Sequence, residues 1–208
     1  MRLPHEREAA RSLGAALERA LLHPIPANVE HVLALARHED ATRIADRVQL
    51  RARRLAKAKG TQRGPVLAAA DALLLHLYQA AAPAGWLCAW CDATVTGGGA
   101  AVGALLLDRN ARELARIAES VAACAPFEAE IAALEAVLRA LPRNAARVRV
   151  HTDCDALVAL WLQRRRDARL RVVRALARRL RRFELRAVPR RHNRIAHSLA
   201  REAAAAAS

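Results

Sequence analysis

The sequence predicts an α/β protein with a mixed five-stranded sheet flanked by helices, preceded by an all-helical N-terminal region. Three observations support this fold class. The first 80 or so residues show only the apolar periodicity of helices. After the break "AAPAG" at residues 81–85, two apolar runs joined by glycines are typical of a β-hairpin. Strand and helix patterns then alternate to the end of the chain, which indicates parallel strands with helices on the faces of the sheet.

Composition is that of a globular protein and points to a polyanionic partner. The 208 residues are 54% hydrophobic, which suffices for a buried core. The formal net charge is +15, and nearly all basic residues are arginines, whose guanidinium groups bind phosphates bidentately. A GC-rich coding genome would also raise the arginine and alanine content, but it does not explain the excess of positive over negative charge.

The sequence gives no sign of export or of a membrane span. No apolar run approaches the ~20 residues of a membrane span, and the N-terminus "MRLPHEREAARSLG" lacks the apolar stretch of a signal peptide. Four cysteines in a chain of this length do not make a disulfide scaffold. We therefore expect a cytoplasmic protein without a membrane partner. The sequence does not indicate its oligomeric state.

Residues 1–82 are predicted to form a helical N-terminal region. Its helical patterns are "EAARSLGAALERALL", "NVEHVLALA" behind a possible cap at Asn28, "ATRIADRVQLRARRLAKAKG" ending at Gly60, and "PVLAAADALLLHLYQAAA". The region matches no motif, so its role is open. Either its basic segment at residues 47–60 extends a nucleic-acid contact, or its helices mediate dimerisation.

Residues 86–205 are predicted to form a second domain. Strands are expected in "GWLCAWCDATV" and "AAVGALLLD", joined by the turn "TGGG" at 96–99, and then in "ELARIAESV", "ARVRVHTD" and "FELRAV". Helices are expected from Pro126 through "PFEAEIAALEAVLRAL", in "ALVALWLQ" and "LRVVRALARRL", and from Asn193, the possible cap of the last helix. The composition of "ELARIAESV" equally suits a helix.

Three acidic residues interrupt the apolar elements of this domain and are candidates for a metal site. Asp92 lies within the first strand, Glu130 on the long helix and Asp153 at the end of the fourth strand. If the two strands are parallel neighbours, Asp92 and Asp153 lie side by side, and the helix packed on that face delivers Glu130. Three converging carboxylates need compensating cations, usually Mg²⁺, which in such a site assists phosphodiester hydrolysis. Two simpler interpretations remain, with Asp153 as a helix N-cap and Glu130 as a first-turn acid.

Four blocks of this domain resemble the type 1 ribonuclease H family, especially its short reverse-transcriptase-like branch. They are "CDATVTGGGAAVGALLLD", "FEAEIAALEAVLRAL", "VRVHTDCDALVALW" and "VPRRHNRIAHSLAREA", in the order and spacing of the family. The resemblance implies the same mixed five-stranded sheet, a ribonuclease H-like fold. It also implies that the family's four catalytic, metal-binding positions fall on Asp92, Glu130, Asp153 and His197. The family has an aspartate where this chain has His197.

The resemblance implies a metal-dependent endonuclease that hydrolyses the RNA strand of RNA–DNA hybrids. In that family two divalent ions, Mg²⁺ or Mn²⁺, support the reaction, which gives 5′-phosphate products. Because Mg²⁺ prefers oxygen ligands and Mn²⁺ tolerates imidazole better, His197 predicts a preference for Mn²⁺. The alternative is a catalytically weakened module that binds hybrid or structured nucleic acid.

Several other residues are candidates for nucleic-acid binding. Thr94 precedes the glycine turn, where the backbone can approach a nucleic acid closely. The helix in "LRVVRALARRL" has a basic face opposite its apolar stripe. The remaining candidates are Arg171, Arg174 and Arg178 on that face, and Arg190, Arg191, His192 and Asn193 before the last helix. His192 resembles the mobile histidine of some family members, and an ordinary solvated face is the alternative for the arginines.

Cys88 and Cys91 form a Cys-x-x-Cys pattern, which elsewhere binds zinc. On a strand, however, residues three apart point to opposite faces, so we expect both to be core residues. Trp86, Trp90 and Trp161 lie inside apolar runs, which favours packing over stacking on bases.

Overall fold

The computed structural model describes residues 4–58, 60–97, 99–163 and 167–207. The chain divides into two units, Met1–Ala81 and Ala82–Ser208, which we call unit 1 and unit 2. The use of these regions as separate functional domains stays a prediction. Among the described residues, no helix combines the length and the apolar character that crossing a membrane requires.

Unit 1 is helical in its described residues, as the sequence predicts. Its helices are α1 (Pro4–Leu22), α2 (Pro26–Ala36), α3 (Ala41–Leu55) and α4 (Arg63–Ala80). Helix α3 begins after Asp40, whose carboxylate accepts a hydrogen bond from the backbone N–H of Arg43 at 2.9 Å. Its inner side is formed by residues such as Ile44 and Val48, which are fully buried. Burial of such apolar stripes supplies most of the stability of helices of this length.

Two predicted features of these helices are wrong. Helix α2 begins at Pro26 and not behind Asn28, because proline suits the first helical turn, where its missing N–H is not needed. Asn28 instead donates its side-chain amide to His23 O at 2.8 Å. Helix α3 ends at Leu55, before the expected end at Gly60, since the residues that follow Leu55 include no large apolar side chain to bury.

The predicted mixed five-stranded sheet is confirmed in unit 2. Its strands are β1 (Leu87–Thr96), β2 (Gly99–Leu107), β3 (Glu113–Val121), β4 (Arg147–Thr152) and β5 (Arg182–Ala187). They lie in the order β3-β2-β1-β4-β5, with β2 antiparallel to β1 and β3, and β4 parallel to β1 and β5. The ambiguous stretch "ELARIAESV" is a strand because it pairs along β2. The predicted glycine turn includes Gly98, which lies outside the described residues.

The helices of unit 2 cover the two faces of this sheet. They are α5 (Pro126–Ala140), α6 (Asp155–Leu162), α7 (Arg171–Ala177) and α8 (Arg194–Ala206), with 3₁₀ turns at Ala168–Leu170 and Arg190–His192. Side chains of α5, α6 and α7 share one core with Ala89 and Cys91 of β1. Helix α8 packs on the other face. The helix expected over 170–180 is shorter, since α7 ends at Ala177.

The cysteines and tryptophans have the surroundings of packing residues. Cys88 and Cys91 are buried and form no disulfide. Trp86 and Trp90 are buried as well. The ring of Trp161 packs edge-on against a phenylalanine ring, with 4.9 Å between the centroids.

Helix α8 approaches the sheet closely at Gly103 of β2. A Cβ at this position would overlap two backbone atoms of α8, Ala196 O and Ala200 N. Gly103 is also the antiparallel partner of Asp92 on β1. A residue without a side chain is therefore needed to seat α8 against the strand pair that carries Asp92.

We expect Gly103→Ala to lower the free energy of unfolding of unit 2 by about 1–3 kcal/mol, the usual cost of overpacking a core. The cause is the displacement of α8 from β2, and chemical denaturation followed by circular dichroism measures the change. Gly97→Ala is the matched control, because in the described residues a Cβ at Gly97 meets no atom within 4 Å beyond its own chain neighbours. Equal stabilities of the two variants would contradict the explanation from close packing.

Candidate active site

The parallel pairing of β1 with β4 brings Asp92 and Asp153 to neighbouring positions. Trp90 of β1 is the partner of His151 of β4, and each aspartate follows its paired residue by two positions. Because side chains alternate along a strand, Asp92 lies on the same side of the sheet as this pair, and Asp153 directly follows the end of β4. Burial, and then the charge of Asp153, raises the pKa of Asp92.

Glu130 approaches the two aspartates from the other face of the sheet. The partner of Asp92, Gly103, contacts α8, and directly opposed residues share a face, so Asp92 points to the α8 face. Helix α5 packs on the opposite face, so the expectation that α5 covers the face of Asp92 is wrong. The acids are still close enough to interact, since the charges of Asp92 and Asp153 act on Glu130. Burial, followed by the charges of Asp92 and Asp153, raises the pKa of Glu130 to about 8.

The simpler interpretations of these acids do not match the structure. Cys154 is the N-cap residue of α6, so Asp153 does not cap that helix. The first-turn acid of α5 is Glu128, whose carboxylate accepts a hydrogen bond from the backbone N–H of Ala125 at 3.2 Å. Glu130 is left to face the other two acids.

His197 lies on α8 in direct contact with Asp92. The distance from His197 Nδ1 to Asp92 Oδ2 is 2.7 Å. An ionised carboxylate can only accept, so Nδ1 donates, and in the neutral imidazole Nε2 then carries the lone pair. This hydrogen bond opposes the rise in the pKa of Asp92 that burial causes. The position that the resemblance implies for a fourth ligand is therefore adjacent to the acids.

Asn193 is an internal residue of the site, and its predicted place on the nucleic-acid surface does not match its burial. It is only 1% exposed. Its Nδ2 donates to Asp153 Oδ1 at 2.6 Å and to Cys91 O at 2.9 Å, and its side chain does not cap α8. These bonds connect the start of α8 to both β4 and β1. The sequence signal for this role of Asn193 is its i, i+4 spacing from His197, which puts both residues on one side of the helix.

The acids fit a divalent cation by charge and by donor type. Glu130 Oε2 is buried and receives no hydrogen bond within the described chain, and three mutually repelling carboxylates favour a cation. However, no three His, Cys, Asp or Glu side chains in the described ranges are grouped closely enough to hold one ion. His197 and Asn193 each occupy one oxygen of an aspartate. Each aspartate keeps further lone pairs for an ion, because an ionised carboxylate offers about four acceptor sites.

Some of the predicted nucleic-acid-binding residues lie next to the acids. Arg190 and Arg191 are exposed in the 3₁₀ turn before α8. The charge of Arg190 acts on Glu130, opposing the rise in pKa caused by burial. Thr94 is half-buried on β1. His192 is 4% exposed, so its side chain is not part of the exposed surface.

The arginines of α7 differ in what they contact. Arg171 and Arg178 are exposed. Arg174 instead donates from Nη2 to two backbone carbonyls near the end of α6, at 3.0 and 3.4 Å, and its guanidinium lies 5.5 Å from the ring centroid of Trp161. Arg174 therefore anchors α6, which makes it less available to a phosphate than the prediction assumed. The arginines at 164–166 lie outside the described residues.

A family model matches the C-terminal region of the chain. Residues 90–203, more than half of the chain, match the model described as reverse transcriptase-like, and this span contains all three acids and His197. The chain belongs to the reverse transcriptase-like family. A search of curated protein sequences found no match to this chain.

Solved ribonucleases H share the fold of the reverse transcriptase-like region. The RNase H1 of Halobacterium salinarum NRC-1 is 26% identical, with a TM-score of 0.52 over 59% of this chain and 99% of its own. The N-terminal RNase H domain of a Mycobacterium tuberculosis protein, fused to maltose-binding protein, is 23% identical, with a TM-score of 0.51 over 60% and 99%. LC11-RNase H1, isolated from compost and bound to an RNA/DNA hybrid, is 17% identical, with a TM-score of 0.50 over 59% and 99%. The fold of unit 2 is thus ribonuclease H-like, as predicted.

The pH dependence of stability reports on Glu130. The unfolded chain holds this group near its ordinary pKa of about 4.3, whereas its pKa in the folded unit is about 8. The folded state thus keeps a proton that the unfolded state has lost. The resulting stabilisation is complete below the unfolded pKa and is lost as the pH rises through the folded value. In EDTA, the melting temperature should therefore fall from about pH 5 to about pH 9, and fall less in Glu130→Gln.

Calorimetry at a series of pH values measures this difference. Glu119→Gln, which removes an exposed carboxylate on β3, is the control and should keep the wild-type pH dependence. A Glu130→Gln curve as steep as that of the wild type would show that another group is responsible.

Proposed function

We propose that the chain is a ribonuclease H-type endonuclease that hydrolyses the RNA strand of RNA–DNA hybrids and leaves 5′-phosphate products. The observation that carries the proposal is the effect of the Asp92 and Asp153 charges on Glu130, together with a buried Glu130 oxygen that accepts no hydrogen bond within the described chain. Membership of the reverse transcriptase-like family supports the reaction class. The RNA/DNA hybrid bound to LC11-RNase H1 supports the substrate class.

In this proposal Asp92, Glu130, Asp153 and His197 hold two divalent ions, Mg²⁺ or Mn²⁺. The chemistry that these ions supply when bound is activation of the attacking water and stabilisation of the leaving 3′ oxygen. The two aspartates contribute negative charge from adjacent strands, and Glu130 contributes an unpaired oxygen from α5. His197 also orients Asp92 through Nδ1. Asn193 is a positioning residue that acts through Asp153.

Exposed arginines of unit 2 are proposed to bind the substrate. Arg190 and Arg191 lie beside the site, and Arg171 and Arg178 extend the basic surface on α7. Guanidinium groups bind phosphates bidentately, and such contacts set position without reading sequence. Thr94 is proposed to contact the nucleic-acid backbone near the β1–β2 turn. We therefore expect cleavage that tolerates many sequences but requires an RNA strand with its 2′-hydroxyls.

Cleavage of a labelled RNA–DNA hybrid tests the proposal. In Mg²⁺ or Mn²⁺, the wild type should cut the hybrid, spare the RNA duplex and the DNA duplex, and leave 5′-phosphate ends. Asp92→Asn should lower the rate at least about 100-fold, equivalent to about 2.7 kcal/mol of transition-state stabilisation, because one carboxylate charge is lost.

Glu119→Gln is the control for this assay, and its cleavage rate should equal that of the wild type. Hybrid cleavage that persists at the wild-type rate in Asp92→Asn would refute the assignment of the acids. Equal cleavage of all three duplexes would refute the substrate class.

The second candidate is a module that binds hybrid or structured nucleic acid with weakened catalysis. It is favoured by the hydrogen bonds that occupy one oxygen each of Asp92 and Asp153. It predicts salt-sensitive binding of the hybrid without cleavage in either metal ion. It also predicts that His197→Asp gains cleavage in Mg²⁺, because a carboxylate replaces the imidazole.

For the enzyme, His197 as a ligand predicts faster turnover in Mn²⁺ than in Mg²⁺, since Mn²⁺ accepts nitrogen more readily. Steady-state rates at saturating concentrations of each ion measure this preference. In His197→Asp the ratio of the two rates should move toward Mg²⁺. Equal wild-type rates in both ions would contradict the role of His197 as a ligand.

A further inference from the structure

Helix α3 of unit 1 carries an outward face of arginines that nothing in the proposed hydrolysis uses. We propose that this face binds the phosphate backbone of a nucleic-acid duplex, so that unit 1 is a second nucleic-acid contact of the chain. The α3 basic face consists of Arg43, Arg53 and Arg54 on the helix and Lys57 just after it. The proposal goes beyond hydrolysis, because binding can be measured whether or not the chain cleaves.

The helical spacing puts the basic and the buried residues of α3 on opposite sides. Ile44, Val48 and Ala52 recur every four residues and are fully buried. Arg43 and Arg54 are eleven positions apart, just over three turns, so they share the opposite side and lie about 16 Å apart along the axis. The helix therefore presents a straight basic ridge, while its apolar side is already used by the core of unit 1.

Basic residues outnumber acids along this ridge. Between residues 41 and 63 the chain has eight Lys and Arg and one acid, Asp46. Arg47 and Arg51 are salt-bridged to Glu39 at 3.5 Å and Glu18 at 3.0 Å. Within the described part of the chain, the four residues of the α3 basic face are exposed and have no such salt bridge. This face carries four basic residues and one acid, Asp46, whereas ordinary solvated faces mix the two signs of charge more evenly.

The chemistry of the ridge favours a duplex over a membrane surface. Helices that bind anionic membranes insert an apolar face, and the apolar face of α3 is buried in unit 1. The single large apolar residue on the outer side is Leu50, which is 53% exposed. A row of guanidinium groups matches the regularly spaced phosphates of a duplex and needs no insertion.

Binding of the full chain to a fluorescent RNA–DNA hybrid of about 20 base pairs, in EDTA so that metal-dependent cleavage is suppressed, tests this inference. The probe variant is Arg43→Gln/Arg53→Gln/Arg54→Gln. Each lost phosphate contact should lower the slope of log K against log salt by about 0.9, so the three substitutions should lower it by about 2 to 3. At physiological salt the affinity should fall at least about tenfold.

A variant with the same loss of charge elsewhere in unit 1 separates a local surface from net charge. Arg11→Gln/Arg19→Gln/Arg37→Gln removes three exposed arginines from α1 and the end of α2. It should keep nearly the wild-type slope and affinity. Equal weakening by both triple variants, or an unchanged slope in the α3 variant, would overturn the proposal.

Two further measurements keep the outcomes distinct. Far-UV circular dichroism should show native helix content in both variants, and Arg54→Gln alone should lower the slope by about 0.9 if the triple variant unfolds.

Vesicles of phosphatidylserine and phosphatidylcholine test whether the α3 basic face binds the phosphates of lipids instead. Loss of vesicle binding with unchanged duplex binding in the α3 variant would overturn the proposal in favour of a membrane surface. Failure of hybrid cleavage together with α3-dependent binding would refute only the proposed hydrolysis.

Discussion

The parallel pairing of β1 with β4 determines where the acidic groups of unit 2 meet, with Trp90 opposite His151. The two rings stack with 4.9 Å between their centroids and are buried, as are Ala89, Cys91, Val148 and Val150 on the opposite face. Burial lowers the pKa of His151 to about 3, so the imidazole is neutral and adds no positive charge beneath the acids. Asp92 and Asp153 follow this rigid pair, and their mutual repulsion is left for other groups to balance.

That repulsion organises the contacts around the site. His197 and Asn193, one helical turn apart on α8, each donate to one of the two aspartates, and Arg190 acts on Glu130 from the preceding turn. These donors reach the acids only because Gly103 lets α8 lie against the sheet. Burial, followed by the charges of Asp92 and Asp153, still raises the pKa of Glu130 to about 8, so compensation of the charges stays incomplete. Incomplete local compensation of this kind is expected where a structure serves function rather than stability.

The basic residues of the chain do not all belong to a binding surface. Some arginines are structural, such as Arg149, which is paired with Glu184 at 2.9 Å, and Arg179, which donates to Leu138 O near the end of α5 at 3.2 Å. Arg174 similarly contacts the end of α6. Guanidinium groups suit such roles because they bond to several acceptors while their stems pack on apolar neighbours. Net charge alone therefore does not identify a binding surface, and only exposure and pairing show which arginines are available to a polyanion.

The sequence by itself determined the order of helices and strands, the mixed sheet and the candidate acids, because apolar periodicity, glycine and proline act over a few residues. The stretch "ELARIAESV" was ambiguous for the same reason, since only pairing with β2 makes it a strand. Tertiary structure alone decided that Asp92 faces α8 while Glu130 arrives from the opposite face, and that Arg174 anchors α6. It also decided that Asn193 bonds to groups 40 and 102 positions away in the chain. Local patterns show which side of an element is buried, but the groups that meet there depend on which distant element covers it.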